Sequence, residues 1–170
     1  MTDPIAWHDI DELDVEGRAW RQAAAPFDRF PAQAEGVVRA PVWELSRCSA
    51  GMAVRFVTDA ALLRARWTVR SAALAMSHMS ATGVSGLDLY IRAADGQWRW
   101  AGCGRPEQFP DNEVQLVAGL DPQPREYLLY LPLYNGVTRV AVGVPEGAAW
   151  TPAPARPAPH RLPVVFYGTS

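Results

Sequence analysis

The run Leu162-Pro163-Val164-Val165-Phe166-Tyr167 is apolar and leads directly into Gly168-Thr169-Ser170. A buried strand feeding Gly-x-Ser places a serine hydroxyl on a strand-to-helix turn, where it can act as a nucleophile. Serine is a poor nucleophile until a base takes its proton. The charge that then develops on the attacked carbonyl oxygen needs fixed hydrogen-bond donors. The helix expected after the turn would start past Ser170. The sequence therefore reads as everything up to the first catalytic residue of a hydrolase and nothing after it.

Upstream, few side chains have comparable chemical potential. His78 lies between Met76 and Met79, ahead of the turn Thr82-Gly83-Val84-Ser85-Gly86. No base, ligand or carboxylate partner is readable near it, so it is either a structural or interface histidine or one that reaches a hydrolase cleft. Asp88 and Tyr90 alternate with Leu87, Leu89 and Ile91 and so share an outward face. Asp88 is read either as a cross-strand partner of Arg66 or Arg92 or as a site residue, and Tyr90 as structural or cleft-lining. Tyr130 and Tyr134 lie in a segment that is apolar on both faces. They suit an interdomain contact or a sugar-stacking platform. The row Arg64, Arg66 and Arg70 reads as a solvated face. His8 and His160 fall outside the strand-rich part, and no His/Cys/carboxylate spacing indicates a metal. No cofactor is expected.

The elements that must position these residues are mainly strands. Leu63, Ala65, Trp67 and Val69 alternate with Arg64, Arg66, Thr68 and Arg70. That is the period of a sheet with one buried face. Further strands read at Met52 to Val57, Gly86 to Ile91, Trp98 to Trp100, Val114 to Val117, Tyr127 to Leu133 and Val140 to Val144. Turn signals such as Ala94-Asp95-Gly96 and Tyr134-Asn135-Gly136 separate them. Ala60 to Leu63 could hold one helical turn, and no amphipathic helix is convincing. The expectation is an all-β, jelly-roll-like β-sandwich over residues 36–145. Residues 1–35, rich in Trp and Phe, form an arm packed on it. Residues 146–163 carry five prolines, at 152, 154, 157, 159 and 163, directly after Pro145, and read as a stiff linker. Residues 164–170 follow as an orphan strand.

Composition bounds the class. The chain has 170 residues, 49% of them apolar and 20% charged, enough for one globular core. A net charge of −2 gives no nucleic-acid footprint. No apolar run reaches ~18 residues, so no membrane helix is expected, and the first residues do not resemble a secretory signal. Cytoplasmic location is the default. Cys48 and Cys103 read as free thiols rather than a bridge.

Gly86-Leu87-Asp88-Leu89-Tyr90 resembles the signature of the GxDLY domain, which precedes the hydrolase domain in a branch of the SGNH (GDSL-like) esterases and acyltransferases. Val42-Trp43-Glu44-Leu45-Ser46, Arg55-Phe56 and Leu129 to Val137 fit in the same order. Tyr167-Gly168-Thr169-Ser170 is similar to the first catalytic block of that family, with Thr in place of the frequent Asp. The resemblance implies that Ser170 is the nucleophile for ester cleavage or acyl transfer. It also implies that the partner is a covalently linked hydrolase domain and that the substrate is an ester or acyl compound. Later Gly, Asn and Asp-x-x-His blocks would supply the oxyanion hole and the base. The 170-residue chain is therefore expected to be inactive alone. Its expected role is an accessory sandwich that packs on the hydrolase and shapes its cleft. An autonomous carbohydrate-binding module and a non-catalytic protein-interaction domain, with a second copy as one candidate partner, are the alternatives.

Overall fold

Alternating apolar and polar side chains turn most of this chain into strands with one face for a core and one for water. The protein is represented by a computed structural model that describes residues 4–20 and 22–157. The strands are β1 (Ile5–Asp9), β2 (Val15–Glu16), β3 (Ala53–Thr58), β4 (Leu62–Val69), β5 (Leu87–Arg92), β6 (Trp98–Gly104), β7 (Asp111–Ala118), β8 (Arg125–Tyr130), β9 (Val137–Pro145) and β10 (Trp150–Pro152). Two short helices, α1 (Ala40–Ser46) and α2 (Ala81–Ser85), interrupt the series. Helices this short earn their place by packing rather than by propensity, so no amphipathic period announced them. Ala61 is a bend rather than part of a helical turn, and Leu62 and Leu63 already belong to β4.

One sheet has the order β1-β9-β4-β7. The other runs β10-β3-β8-β5-β6, with β2 also beside β3. The pairings are antiparallel. The sheets pack as a sandwich without closing into a barrel. Leu63, Ala65, Trp67, Val140 and Val142 from the first sheet meet Val54, Phe56, Leu87, Leu89, Tyr127 and Leu129 from the second in one core. Each large apolar side chain buried there contributes about 1.5–3 kcal/mol. The expected alternation in β4 is observed: Leu63, Ala65, Trp67 and Val69 are buried.

The arm is stitched into the body. β1 forms the edge of the first sheet, pairing Ile5 with Pro145 and Asp9 with Ala141. Trp7 lies over Gly143, where any Cβ would come within 2.9 Å of the indole. The Arg66 guanidinium sits 3.6 Å from the centre of the same indole. Asp28, buried, is bracketed by Arg47 at 2.7 Å and Arg70 at 3.4 Å. The Pro-rich stretch begins with a strand too. Proline is tolerated at a sheet edge, where its missing N–H takes nothing from the ladder, and β10 pairs Pro152 with Phe56 at that position. Cys48 and Cys103 are free.

Candidate functional site

Gly86 has to be glycine for a steric reason. A Cβ there would lie 2.4 Å from the Thr82 carbonyl oxygen and 2.5 Å from that of Gly104. This contact lets α2 run straight into β5, so that Asp88 and Tyr90 leave the turn on the outer face of their sheet. The Trp67 indole N–H reaches across the core and donates to the Ser85 carbonyl at 2.9 Å, fixing the end of α2. β8 is a central strand, and it pairs Tyr130 with Asp88 and Leu128 with Tyr90. The Tyr90 and Tyr130 rings meet edge to face at 5.7 Å. On the next strand Trp100 stands opposite Tyr90, and its indole N–H donates to Asp88 Oδ1 at 3.3 Å. Trp100 is 60% exposed and Tyr130 42%.

Asp88 therefore pairs with an indole rather than with an arginine. Arg66 belongs to the other sheet, over Trp7, and Arg92 is held by Glu126 at 2.8 Å. The Arg64 to Arg70 row is solvated at Arg66 but otherwise ion-paired. Arg64 contacts Glu113 at 2.8 Å, and Arg70 contacts Asp28.

At the end of the same face the loops gather around Asn135. Its buried amide accepts from the Ser71 backbone N–H at 3.0 Å, and donates to the Ser71 carbonyl at 2.9 Å and to Ser85 Oγ at 3.0 Å. Three chain segments are thereby held in register. Leu133 and Tyr134 donate backbone bonds to Gly83 and Val84, at 3.2 Å each. Met76 and Met79 exchange backbone bonds, so Ser77 and His78 form the tip of a tight turn. The His78 ring meets Tyr134 edge-on at 6.3 Å. Among the described residues His78 has no carboxylate that would orient it as a base.

All five upstream residues singled out from the sequence thus fall in one region. Asp88, Tyr90 and Tyr130 are together on the sheet, and His78 and Tyr134 are at its rim. Ser170 lies outside the described residues, as do His160 and the apolar run from Leu162. Trp100 and Leu133 belong to the same surface and were not singled out. Trp100 could have been found from its alternation with Arg99 opposite Tyr90, but nothing in the sequence gives the strand pairing. A hollow of about 310 Å³ lies on the arm between Asp11, Arg18, Trp20 and Pro26, and none of the five lines it.

A charged ladder flanks this surface. Arg55 donates to Glu16 at 2.7 Å, to Glu126, and to the Pro154 carbonyl at 3.1 Å. Arg156 grips Glu16 with bonds of 2.6 to 3.1 Å. Burial pushes the Glu16 carboxyl up, but the hydrogen bonds from Arg156 and Arg55 prevail and hold it below its ordinary value. Arg156, in turn, is raised by that pairing. Among the described residues no three His, Cys, Asp or Glu side chains converge as metal ligands would, and no helix is long and apolar enough to cross a membrane.

A family model named GxDLY, described as the N-terminus of SGNH hydrolase-type esterases, matches residues 5–150. The chain belongs to the GxDLY family. The matched range takes in the Gly86 turn and the Asp88/Tyr90 face just described. Among solved structures, a GDSL-like lipase from Bacteroides ovatus is 30% identical, with a TM-score of 0.82 over 89% of this chain and 44% of its own. The salicylyl-acyltransferase SsfX3 from a tetracycline biosynthetic pathway shares the fold, at 15% identity and a TM-score of 0.57, over 91% of this chain and 42% of its own. The GxDLY chain thus spans less than half the length of either neighbour. No curated protein sequence matches it.

Proposed function

We propose that this GxDLY domain is the accessory β-sandwich of an SGNH-type serine esterase or acyltransferase, and that it packs on the hydrolase domain and walls one side of its cleft. The observation that carries the reading is the family match over residues 5–150, followed in the sequence by Gly168-Thr169-Ser170. In the complete enzyme Ser170 Oγ loses its proton to a base and attacks the ester carbonyl. The tetrahedral intermediate expels the alcohol, which takes a proton, and leaves an acyl-enzyme. Water or an acceptor hydroxyl then attacks that ester, and the serine regains its proton. His78 and Tyr134, on a loop end held by Asn135, are suited to limit which acyl donor or acceptor fits. Clefts form preferentially at such domain boundaries.

The test is ester turnover by the purified 170-residue chain beside the longer polypeptide that includes the hydrolase domain. The chain alone should be silent, and the longer protein should lose turnover on Ser170→Ala. Ser170-dependent hydrolysis by the 170-residue chain would overturn the division of labour. A glycan-binding reading draws on exposed Trp100 beside Asp88, since an indole face next to a carboxylate suits a sugar ring. Saturable glycan binding by the 170-residue chain would favour that reading, and a flat titration would end it.

A further inference from the structure

The two outer faces of the sandwich differ in kind. On the first sheet the outward side chains are paired for water: Arg64 with Glu113, Arg66 over Trp7, Thr68 with Asp111 and Arg139 with Asp9. On the second, the half built from β8, β5 and β6 carries one outward ion pair, Arg92 with Glu126, and beyond it shows bare rings. Among the described residues nine large apolar side chains are exposed, and five of them (Met76, Trp100, Tyr130, Leu133 and Tyr134) belong to this face or its rim. An apolar surface concentrated in this way marks a contact with something else.

The register says where the chain is heading when it leaves the body. β10 runs antiparallel to β3, passing from Thr58 at Trp150 to Phe56 at Pro152, and Ala153 continues by donating to the Arg55 carbonyl at 3.3 Å. That direction leads toward Ala53, the residue β3 pairs with Tyr130. The edge is not free to continue, because β2 already occupies it at Val54 and Ala53. The connector is instead held from the outer side. Arg55 donates to the Pro154 carbonyl, and Arg156 closes on Glu16. From Pro157 to Leu162 five residues extend at most ~17 Å. From the Glu16 anchor on β2, two interstrand steps across β3 to β8, where Tyr130 stands, measure ~10 Å, and four steps to β6 measure ~19 Å, so the near edge of the face lies within that span.

We propose that the outer face of the second sheet, from Tyr130 across Tyr90 to Trp100 with Leu133 and Tyr134 at its rim, is the seat of the hydrolase domain that the connector leads into. This rests on the function proposed above and adds which face is used. The occupant is the same polypeptide. The connector is anchored beside this face, it points along it, and the apolar run that opens the next domain begins within reach of it.

Hydroxyl-radical footprinting of the 170-residue chain and of the longer polypeptide with its hydrolase domain tests the assignment. Trp100, Tyr130 and Tyr134 should lose reactivity several-fold in the longer protein, while Trp20 and Phe109, exposed elsewhere, keep theirs. Unchanged reactivity at Trp100 and Tyr134 overturns the face, even when Ser170-dependent turnover keeps the esterase reading alive. Protection without such turnover keeps the face and removes the esterase reading. Protection that rises with concentration in the 170-residue chain alone makes a second copy the occupant and overturns the proposal. As an independent check, Trp100→Arg retains a donor for Asp88 and should leave the 170-residue chain's Tm in place. In the longer protein it should separate unfolding into two transitions, and a single unshifted transition there refutes the docking face.

Discussion

At the scale of single residues, the family signature is largely a set of steric and hydrogen-bonding requirements. Gly86 is in extended backbone, so its constraint is crowding by two carbonyl oxygens rather than a left-handed conformation. Gly86→Ala should destabilise the domain by about 1–3 kcal/mol, the usual cost of overpacking, read as a lowered Tm in thermal unfolding. Asn135→Ala should cost at least about 1–3 kcal/mol, because it strands the Ser71 N–H and carbonyl in a part-buried site. Asn135→Asp would keep the acceptor and lose the donors. If both variants melt like the wild type, the three loops are not held by this amide. Asp88 is the residue whose use the sequence could not decide between structure and site. Its hydrogen bond from Trp100 restrains an exposed ring.

At the scale of elements, the edge strand β10 is the joint between sandwich and connector. His8 on β1 stacks on Trp150 of β10 at 4.4 Å, nearly parallel, and Phe56 stacks on the same indole at 4.5 Å. Burial lowers the His8 pKa, with Glu12 pulling the other way. The unfolded chain therefore takes up that proton first as pH falls. The stabilisation is complete above the ordinary histidine value of about 6.5 and is lost as pH drops from there through the folded value. Tm should fall over that range, and His8→Phe should flatten the dependence. Glu16 acts lower, with its contribution present above about 4.3 and lost as pH falls through its depressed folded value. Glu16→Gln at neutral pH should mimic the loss by freeing the connector. Faster hydrogen exchange at the Ala153 amide, which donates to Arg55, is the readout, and unaltered exchange would mean that Arg156 does not hold the segment through Glu16.

At the scale of the molecule, the sandwich separates its tasks by face. The first sheet turns paired charges to water, and its edge is closed by the arm. The second sheet carries the exposed rings and the departing chain. Under the function proposed above, this polarity would let the sandwich hold a hydrolase in one orientation. The family match and the 30% identical lipase neighbour give the lineage.

The sequence by itself determined the sandwich, because the two-residue period in β4, β5 and β8 records which side of a strand meets the core. The resemblance to the GxDLY family was legible there too, because Gly86-Leu87-Asp88-Leu89-Tyr90 is a contiguous run that needs no fold to be seen. The surface on which Asp88, Tyr90, Tyr130, His78 and Tyr134 meet, and the indole that joins them there, was decided only by the tertiary structure. The edge strands β2 and β10 belong there too, since two or three residues beside another strand have no period of their own. The ion pair of Glu16 with Arg156 spans 140 positions. Nothing local in either residue's neighbourhood specifies the other, and only the folded sheet brings them within a hydrogen bond.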